Sequence, residues 1–303
     1  MTADLVRPVA VLDADRSARR LAYLTVCVPA AGFVGAIVFS VRYGFSWADG
    51  VTLGALYLVT SLGVEGGLHR FFSHCAFRAD GAVTALWGVA GSMAAQGPIL
   101  FWVATHRVHH AFTDTERDPH SPRPLGDGPV ERLRGLWHGH VGWLFTVRRG
   151  DWSKHVTDLL GSRTVMKVNQ LYFAWVLLGL ALPAAVAGLL TWSMVGALGG
   201  LLWGGLARIF LLDQVTWGVN SIGHTLGSRP YATRDNSRNV ALLAPLSVGG
   251  SWHNNHHARP SLAVNRHKFW QVDVAGTVIW LLDRLGIVHD VRYSTRNSNR
   301  TGR

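Results

Sequence analysis

Histidine is the residue type whose number and spacing in this sequence point most directly to chemistry. The chain has 15 histidines, and nine of them fall into tight groups: three clusters and one lone partner. The clusters are His69-Arg-Phe-Phe-Ser-His74, His106-Arg-Val-His109-His110 and His253-Asn-Asn-His256-His257, with a further histidine in Asn220-Ser-Ile-Gly-His224. Neutral imidazole is a ligand for Fe, Zn, Cu and Ni. Nine imidazoles are too many for one ion, so the pattern predicts a centre of two metal ions.

Helical spacing allows the members of each cluster to act together, since residues i, i+3 and i+4 share one face of a helix. His106, His109 and His110 fit this spacing, and so do the cluster at 253–257 and the pair Asn220 and His224. A single histidine-rich turn of this kind often lies on a solvated basic surface. Three clusters together with Asn220 and His224 favour metal binding, provided that all lie on the same side of the protein. A structural role is favoured for the histidines that lack this spacing: His120, His138, His140, His155, His267 and His289.

Few carboxylates accompany these imidazoles. Soluble di-iron oxygenases use Glu and Glu-x-x-His sets, whereas a neutral ligand set leaves more positive charge on the metals. Glu65, Asp114 and Asp118 are expected behind the ligands, where a carboxylate accepts the outer imidazole N–H and fixes the tautomer. Glu65 precedes His69 by four residues, about one helical turn.

Long uncharged runs must hold these residues in place. Residues 21–40 and 171–190 contain no charged side chain and are long enough to cross a bilayer core of roughly 30 Å. Residues 51–64 and 194–207 are shorter and become spans if their helices continue. Charged residues make up only 16% of the chain, so four such runs predict an integral membrane protein.

The basic residues give the orientation of the spans. Of 29 Lys and Arg, four precede Leu21, twelve lie between Gly67 and Leu171, and eleven follow from Asp213 to the end. Arg42 and Arg208 are the remaining two. Positive segments stay in the cytoplasm, so both termini and the central segment are predicted there. The net charge of +11 then faces anionic lipid and acidic substrates or carriers, and no nucleic-acid partner is expected.

Residues 81–105 are also free of charge and would pass a test for a membrane span. A straight helix of that length would separate its ends by about 37 Å and put the first two histidine clusters on opposite faces. Gln96, Gly97 and Pro98 interrupt the run, and a Gly-Pro pair breaks or kinks a helix. The prediction is therefore an in-plane or re-entrant hairpin.

Two helices should carry histidines beyond the membrane. A helix over 51–74 would be about 36 Å long and one over 194–224 about 46 Å, both longer than the hydrocarbon core. Residues 272–285, closed by Gly286, have the spacing of an interfacial helix. The predicted organisation is all-α: a cytosolic segment 1–20 and one membrane domain 21–303, with spans near 21–40, 48–68, 171–190 and 194–213 and a cytosolic cap of 69–170 and 214–303.

These motifs resemble the membrane-bound fatty acyl desaturases of the stearoyl-CoA (Δ9) type. The similarity runs from about Gly63 to Asp290 and includes HRFFSH, HRVHHAFTDTERDPHSP, WHGHVGWLF, NSIGH, RPYATRDNSRN and WHNNHH. The resemblance implies four transmembrane helices, a cytosolic cap and two irons. It also implies O2 as oxidant and electrons from an external donor, such as ferredoxin or cytochrome b5 with a reductase.

The resemblance also implies roles for individual residues. Asn220 matches a position that reaches a metal through water, and Gln96, Trp102 and Thr216 match residues that shape a kinked acyl tunnel. Arg148 and Arg149 match a basic pair at the substrate head group. The family's metal ligands fall on His69, His74, His106, His109, His110, His224, His253, His256 and His257.

Departures from the family leave the acyl carrier open. Ala104 and Thr105 stand where the animal enzymes carry an Arg-Asp pair that contacts CoA, so acyl carrier protein or a membrane lipid are alternatives to acyl-CoA. Glu65 replaces a residue that is usually small.

The reaction outcome is open as well. Hydrogen removal from an unactivated methylene needs a metal–O2 oxidant that side chains cannot supply, and a bent tunnel would position the carbons. Desaturation is the first prediction, with hydroxylation or acetylene formation at the same centre as alternatives. A non-catalytic metal-binding or transport protein would need polar residues inside its spans, and these are nearly absent.

Overall fold

The computed structural model describes residues 16–122, 128–146 and 152–293. Their only strands are the two-residue pair β1 (Arg78–Ala79) and β2 (Val288–His289), which is antiparallel and was not predicted. The described residues form twelve α-helices: α1 (Arg16–Tyr43), α2 (Trp47–Leu62), α3 (Gly81–Ser92), α4 (Ile99–Phe112), α5 (Pro129–His140), α6 (Thr157–Leu160), α7 (Arg163–Gln170), α8 (Tyr172–Thr191), α9 (Met194–Gly200), α10 (Arg208–Ser221), α11 (His253–Ala258) and α12 (Val274–Arg284).

Four continuous helices are long and apolar enough to cross a membrane: Ala18–Tyr43, Trp47–Ser73, Tyr172–Thr191 and Met194–His224. Their outer surfaces are apolar, as on α8, where Phe173, Leu177 and Leu189 each expose 64% of their surface. Exposed side chains of this kind fit a lipid environment. The all-α membrane fold with four spans and a helical cap is therefore confirmed, apart from the short strand pair.

The second and fourth spans each contain a π-helical segment, Gly63–Ser73 and Leu201–Ala207. The sequence did not predict these segments. In a π-helix the backbone bonds join residues i and i+5, and the N–H of His74 donates to the carbonyl of His69 at 3.1 Å. The second span therefore presents residues five apart, such as His69 and His74, on one face.

The uncharged run at 81–105 is a broken hairpin and not a straight span. α3 ends at Ser92, and a turn with left-handed φ angles at Ala95 (62°) and Gly97 (109°) leads into α4. A Cβ at Gly63 would overlap the backbone of Ala90 and Gly91, so glycine lets α3 lie directly against the second span. The hairpin returns α4 to the side from which α3 departs.

Arg208 fastens this hairpin to two spans from a fully buried position. Pro183, inside α8, has no N–H to donate to the carbonyl of Gly179. The guanidinium of Arg208 donates to that carbonyl at 2.9 Å and to the carbonyl of Met93, at the end of α3, at 2.8 Å. A buried carbonyl without a hydrogen-bond partner is costly in a membrane. Arg208 supplies a donor to two such carbonyls, those of Met93 and Gly179.

The cap surrounds the ends of the long spans. α5 packs on α10, where the ring nitrogens of His140 lie 2.9 Å from the hydroxyl of Ser221 and 3.1 Å from Oε1 of Gln214. α12 corresponds to the helix expected over 272–285, with Ile279 buried and Leu281 half exposed. This amphipathic placement agrees with an interfacial helix.

We predict that Arg208→Met lowers the free energy of unfolding by at least about 2 kcal/mol, because two buried carbonyls lose their donor. The loss should be smaller in a Pro183→Ala background, where residue 183 regains an N–H for the carbonyl of Gly179. Thermal unfolding in detergent measures both, with the exposed Arg42→Met as a control. Equal losses in the two backgrounds would contradict the capping role.

Candidate metal centre

The second span and α4 together carry five of the nine histidines. The π-helical turn places His69 and His74 on the same face, while α4 carries the next cluster on its last turn. His74 Nε2 lies 2.8 Å from Nε2 of His106. Because these residues flank the hairpin, the contact also shows that both ends of the hairpin reach the same side.

The nine predicted histidines form two groups, and within each group one ligand atom per residue lies within 4.8 Å of the others. The first group consists of His69, His74, His106, His110 and His256. The second group consists of His109, His224, His253 and His257. α4 and α11 each contribute to both groups, so the two groups are held together by shared helices.

The nitrogens within a group approach closely. In the first group, Nε2 of His256 lies 3.0 Å from that of His69 and 3.1 Å from that of His110. In the second, the corresponding distance is 2.9 Å between His224 and His253. Two imidazoles bound to one ion at about 2.1 Å each would place their nitrogens roughly 3.0–3.4 Å apart. The spacing matches shared metal ligation.

Carboxylates beside the ligands favour one protonation state of the rings. Asp118 lies 2.9 Å from Nδ1 of His109, and Asp235 lies 2.8 Å from Nδ1 of His257. A neutral imidazole that donates its Nδ1–H keeps a lone pair on Nε2. The Nε2 atoms of His109 and His257 are 3.4 Å apart, so two lone pairs face each other. A cation between them removes this repulsion, and the residues therefore fit a bound metal.

Glu65 and Asp114 occupy equivalent positions behind other ligands. Glu65 lies 3.0 Å from Nδ1 of His69, and Asp114 lies 3.2 Å from Nδ1 of His224. The sequence reasoning placed Glu65, Asp114 and Asp118 in this role but missed Asp235. The RPYATRDNSRN motif contains this aspartate, but no local spacing in the sequence pairs it with His257.

An ion network extends from the first group to the C-terminal helix. Arg70 is fully buried and donates to Glu65 at 2.9 Å and to Asp273 at 2.8 Å. Asp273 in turn accepts from the N–H of Gly276 at 2.9 Å and caps α12. Because Glu65 also contacts His69, this network connects α12 to a histidine of the first group.

The electrostatics of the cap favour neutral imidazoles. Burial and the neighbouring rings hold the pKa of His106, His110 and His256 well below its usual range. Burial also disfavours charge on His109, but Asp118 outweighs it and raises the pKa of that ring. Neutral imidazole is the form that binds metal, so most of the centre is ready for ligation at pH 7.

A cavity of about 90 Å³ adjoins both groups. Gln96, Trp102 and Thr216, the predicted tunnel residues, line it together with Asn220. The amide of Gln96 donates to the hydroxyl of Thr216 at 3.0 Å, and the indole of Trp102 stacks on His106 with ring centroids 5.1 Å apart. These contacts give the cavity one fixed wall beside the first group.

One residue beside the cavity was not predicted from the sequence, and one predicted pair of residues is not described by the structure. Asp213 is buried and accepts from the amide of Gln96 at 3.0 Å, which the sequence reasoning missed. The predicted head-group residues Arg148 and Arg149 lie outside the described residues.

We predict that His256→Ala lowers the metal content of the purified protein from two ions per chain toward one, because this ring lies central to the first group. His109→Ala should act in the same way on the second group. Plasma mass spectrometry of detergent-purified protein measures the content. The exposed His289→Ala is the control, and membrane yield should be equal throughout. Unchanged metal in both site variants would refute the two-ion assignment.

The comparisons with known proteins agree with this geometry. Residues 45–278 match the family described as fatty acid desaturase. The chain is 38% identical over 270 residues to a hex-5-enoyl-[acyl-carrier protein] acetylenase of Moorena producens (strain JHB), covering 88% of this chain and 84% of the relative.

Two further relatives are named for acyl-lipid substrates. The chain is 32% identical to the delta-9 acyl-lipid desaturase 1 of Arabidopsis thaliana, over 88% of this chain and 83% of the relative. It is also 32% identical to the sn-1 stearoyl-lipid 9-desaturase of Anabaena variabilis, over 87% and 91%. With four apolar spans, two groups of buried histidines and a family match over most of its length, the chain belongs to the fatty acid desaturase family of integral membrane proteins.

Proposed function

We propose that the chain is an O2-dependent desaturase that introduces a double bond into a fatty acyl chain at a di-iron centre. The observation that carries the proposal is the pair of histidine groups that adjoin one cavity at the ends of the membrane spans. An amphiphilic substrate fits this location, with its tail in the protein and its head group at the cap. The expected ligands are the nine histidines, with Asn220 acting through water.

Two bound irons would supply, with O2 and electrons, the oxidant that removes hydrogen from unactivated methylenes. The residues of the chain position the substrate and the ligands. Trp102, Gln96 and Thr216 form a wall that holds the acyl chain beside the first group. The carboxylates of Glu65 and Asp118 accept Nδ1–H groups and so keep Nε2 of each ligand directed inward.

The overall reaction balances as a four-electron reduction of O2. The acyl chain loses two hydrogen atoms, an external donor supplies two electrons, two protons are taken up, and two waters leave. The alternative product is a triple bond, formed from a chain that already carries a double bond. The similarity to the acetylenase of Moorena producens supports this alternative. Hydroxylation at the same centre is a third outcome.

The carrier of the acyl chain is a separate part of the proposal. The resemblance favours acyl-CoA. Ala104 and Thr105, however, are buried and uncharged, so this turn of α4 offers no ion pair to a CoA head group. The relatives are named for acyl-lipid or carrier-protein substrates. We propose acyl-CoA, with carrier-protein and lipid-bound chains as the alternatives that the experiment below separates.

The orientation follows from charge. Basic residues concentrate in the segments on the cap side of the spans, which supports a cap and termini in the cytoplasm. Soluble or membrane-attached donors such as ferredoxin, or cytochrome b5 with a reductase, would then reach the metal centre from that side.

We predict that membranes containing the protein form a new double bond in a saturated acyl substrate when O2 and a reduced donor are present, because O2 reduction needs two external electrons. Lipid analysis with mapping of the double bond measures the product, and His109→Ala is the inactive control. Turnover of the purified protein with NAD(P)H alone would contradict the need for an external donor. An acetylenic product from an olefinic chain, without any alkene from saturated chains, would support the acetylenase alternative.

The basic pair Arg148 and Arg149 provides a test of the carrier. If a phosphate-bearing head group docks there, Arg148→Ala/Arg149→Ala should raise KM more than it lowers kcat, since the contact is remote from the reacting carbons. The effect should weaken with salt, because exposed charges are screened over about 8–10 Å. Kinetics with acyl-CoA, acyl carrier protein and phospholipid substrates measure it.

A selective rise in KM for one carrier identifies that carrier. Equal losses with all three substrates would show that the arginines anchor the cap to lipid, and would defeat the head-group role.

A further inference from the structure

The cavity beside the metal centre contains buried polar atoms that nothing in the described residues satisfies. Among the residues that the structure describes, His120 Nδ1 and Trp143 Nε1 have no hydrogen-bond partner, and both residues line the cavity. His120 is 4% exposed and Trp143 is 7% exposed, so bulk water does not hydrate them freely. Buried polar groups in native proteins are nearly always paired, which makes two unpaired nitrogens in one wall a feature that needs an explanation.

The two rings are neighbours at the second histidine group. Their centroids lie 5.2 Å apart at an angle of 60°. The ring of His120 also stacks on His109 with a centroid separation of 4.5 Å. The pair therefore lies beside the reacting region of the cavity and on the side of the cap.

Metal binding does not account for this pair. His120 groups with His109 and Asp118 as a third set of ligand atoms. The carboxylate of Asp118, however, already accepts from the backbone N–H groups of Asp114 and His120 and lies against Nδ1 of His109. Trp143 has an indole N–H, which donates hydrogen bonds and binds no metal. The pair is better suited to a ligand that accepts hydrogen bonds.

An acyl substrate carries such an acceptor. The indole N–H only donates, and His120 Nδ1 donates in one of the two neutral tautomers. The carbonyl oxygen of an ester or thioester accepts two hydrogen bonds and is common to chains carried by CoA, by a carrier protein or by a lipid. Apart from this carbonyl group, a saturated acyl chain carries no hydrogen-bond acceptor.

We propose that Trp143, with His120 beside it, forms a subsite that binds the carbonyl oxygen of the acyl ester or thioester. The inference rests on the proposed function, because it takes the ligand of the cavity to be an acyl chain. Trp143 and His120 act as positioning residues that hold the carbonyl end, while the wall of Gln96, Trp102 and Thr216 holds the chain. A fixed carbonyl also fixes which carbons lie beside the metals.

The test compares two ligands that differ in this oxygen. Equilibrium binding of the octanoyl thioester of N-acetylcysteamine and of the matching octyl thioether is measured on the as-isolated protein without an electron donor, so no turnover occurs. Wild type should bind the thioester about 3- to 10-fold more tightly, the size of one hydrogen bond. Trp143→Phe keeps an aromatic ring but removes the indole donor, and should lower the preference, with His120 left as the remaining donor.

Trp87→Phe is the matched control. The indole nitrogen of Trp87 is also buried and has no partner within the described part of the chain, but the residue does not line the cavity, so the preference should persist. Equal binding of both ligands to wild type, or an unchanged preference in Trp143→Phe, would overturn the subsite. If Trp143→Phe fails to fold, the comparison on wild type still decides.

A separate turnover assay on wild type keeps the two proposals apart. A thioester preference without oxidation of any acyl chain would leave the subsite standing and reject the desaturase. Oxidation of an acyl chain without a thioester preference would support the desaturase and reject the subsite.

Discussion

The convergence of imidazole lone pairs is the interaction on which the rest of this structure depends. The nine histidines form two groups, and in each group one nitrogen per residue lies within 4.8 Å of the others. Carboxylates hold several of the Nδ1–H groups outward. Without a cation, such an arrangement in a buried site is repulsive. The fold must therefore hold the rings rigidly before any metal binds, and most of its unusual features serve that purpose.

Three of these features concern the backbone and the groups that satisfy its hydrogen bonds. The π-helical segment of the second span aligns His69 with His74, which ordinary helical geometry would set on different faces. The broken hairpin brings α4 back to the side of the first cluster. Arg208 then fixes that hairpin by satisfying the carbonyls of Met93 and Gly179 inside the membrane. Each of these features places polar backbone groups or a charge inside or beside the membrane, where they are unfavourable in contact with lipid. The geometry of the metal centre therefore constrains the structure of the spans as well as that of the cap.

The sequence was sufficient for the features that depend on composition and local spacing. Apolar run lengths predicted four spans, the Gly-Pro break predicted the hairpin, and the i, i+3, i+4 pattern predicted the shared faces of α4 and α11. It was insufficient where the partner lies far along the chain. Asp235 contacts His257, Asp213 contacts Gln96, and Arg70 contacts Asp273, and no local pattern announces these pairs. The π-helical turn was missed because five-residue spacing is read against a helix of 3.6 residues per turn.

X-ray absorption spectroscopy at the metal edge tests the central claim most directly, using the protein as purified from its membrane. The account predicts two iron ions per chain, each with a nitrogen-rich shell at about 2.1 Å and the multiple scattering of several imidazoles. A single ion, a shell dominated by sulfur, or a carboxylate shell with few imidazoles would contradict the assignment of nine histidines to two metals.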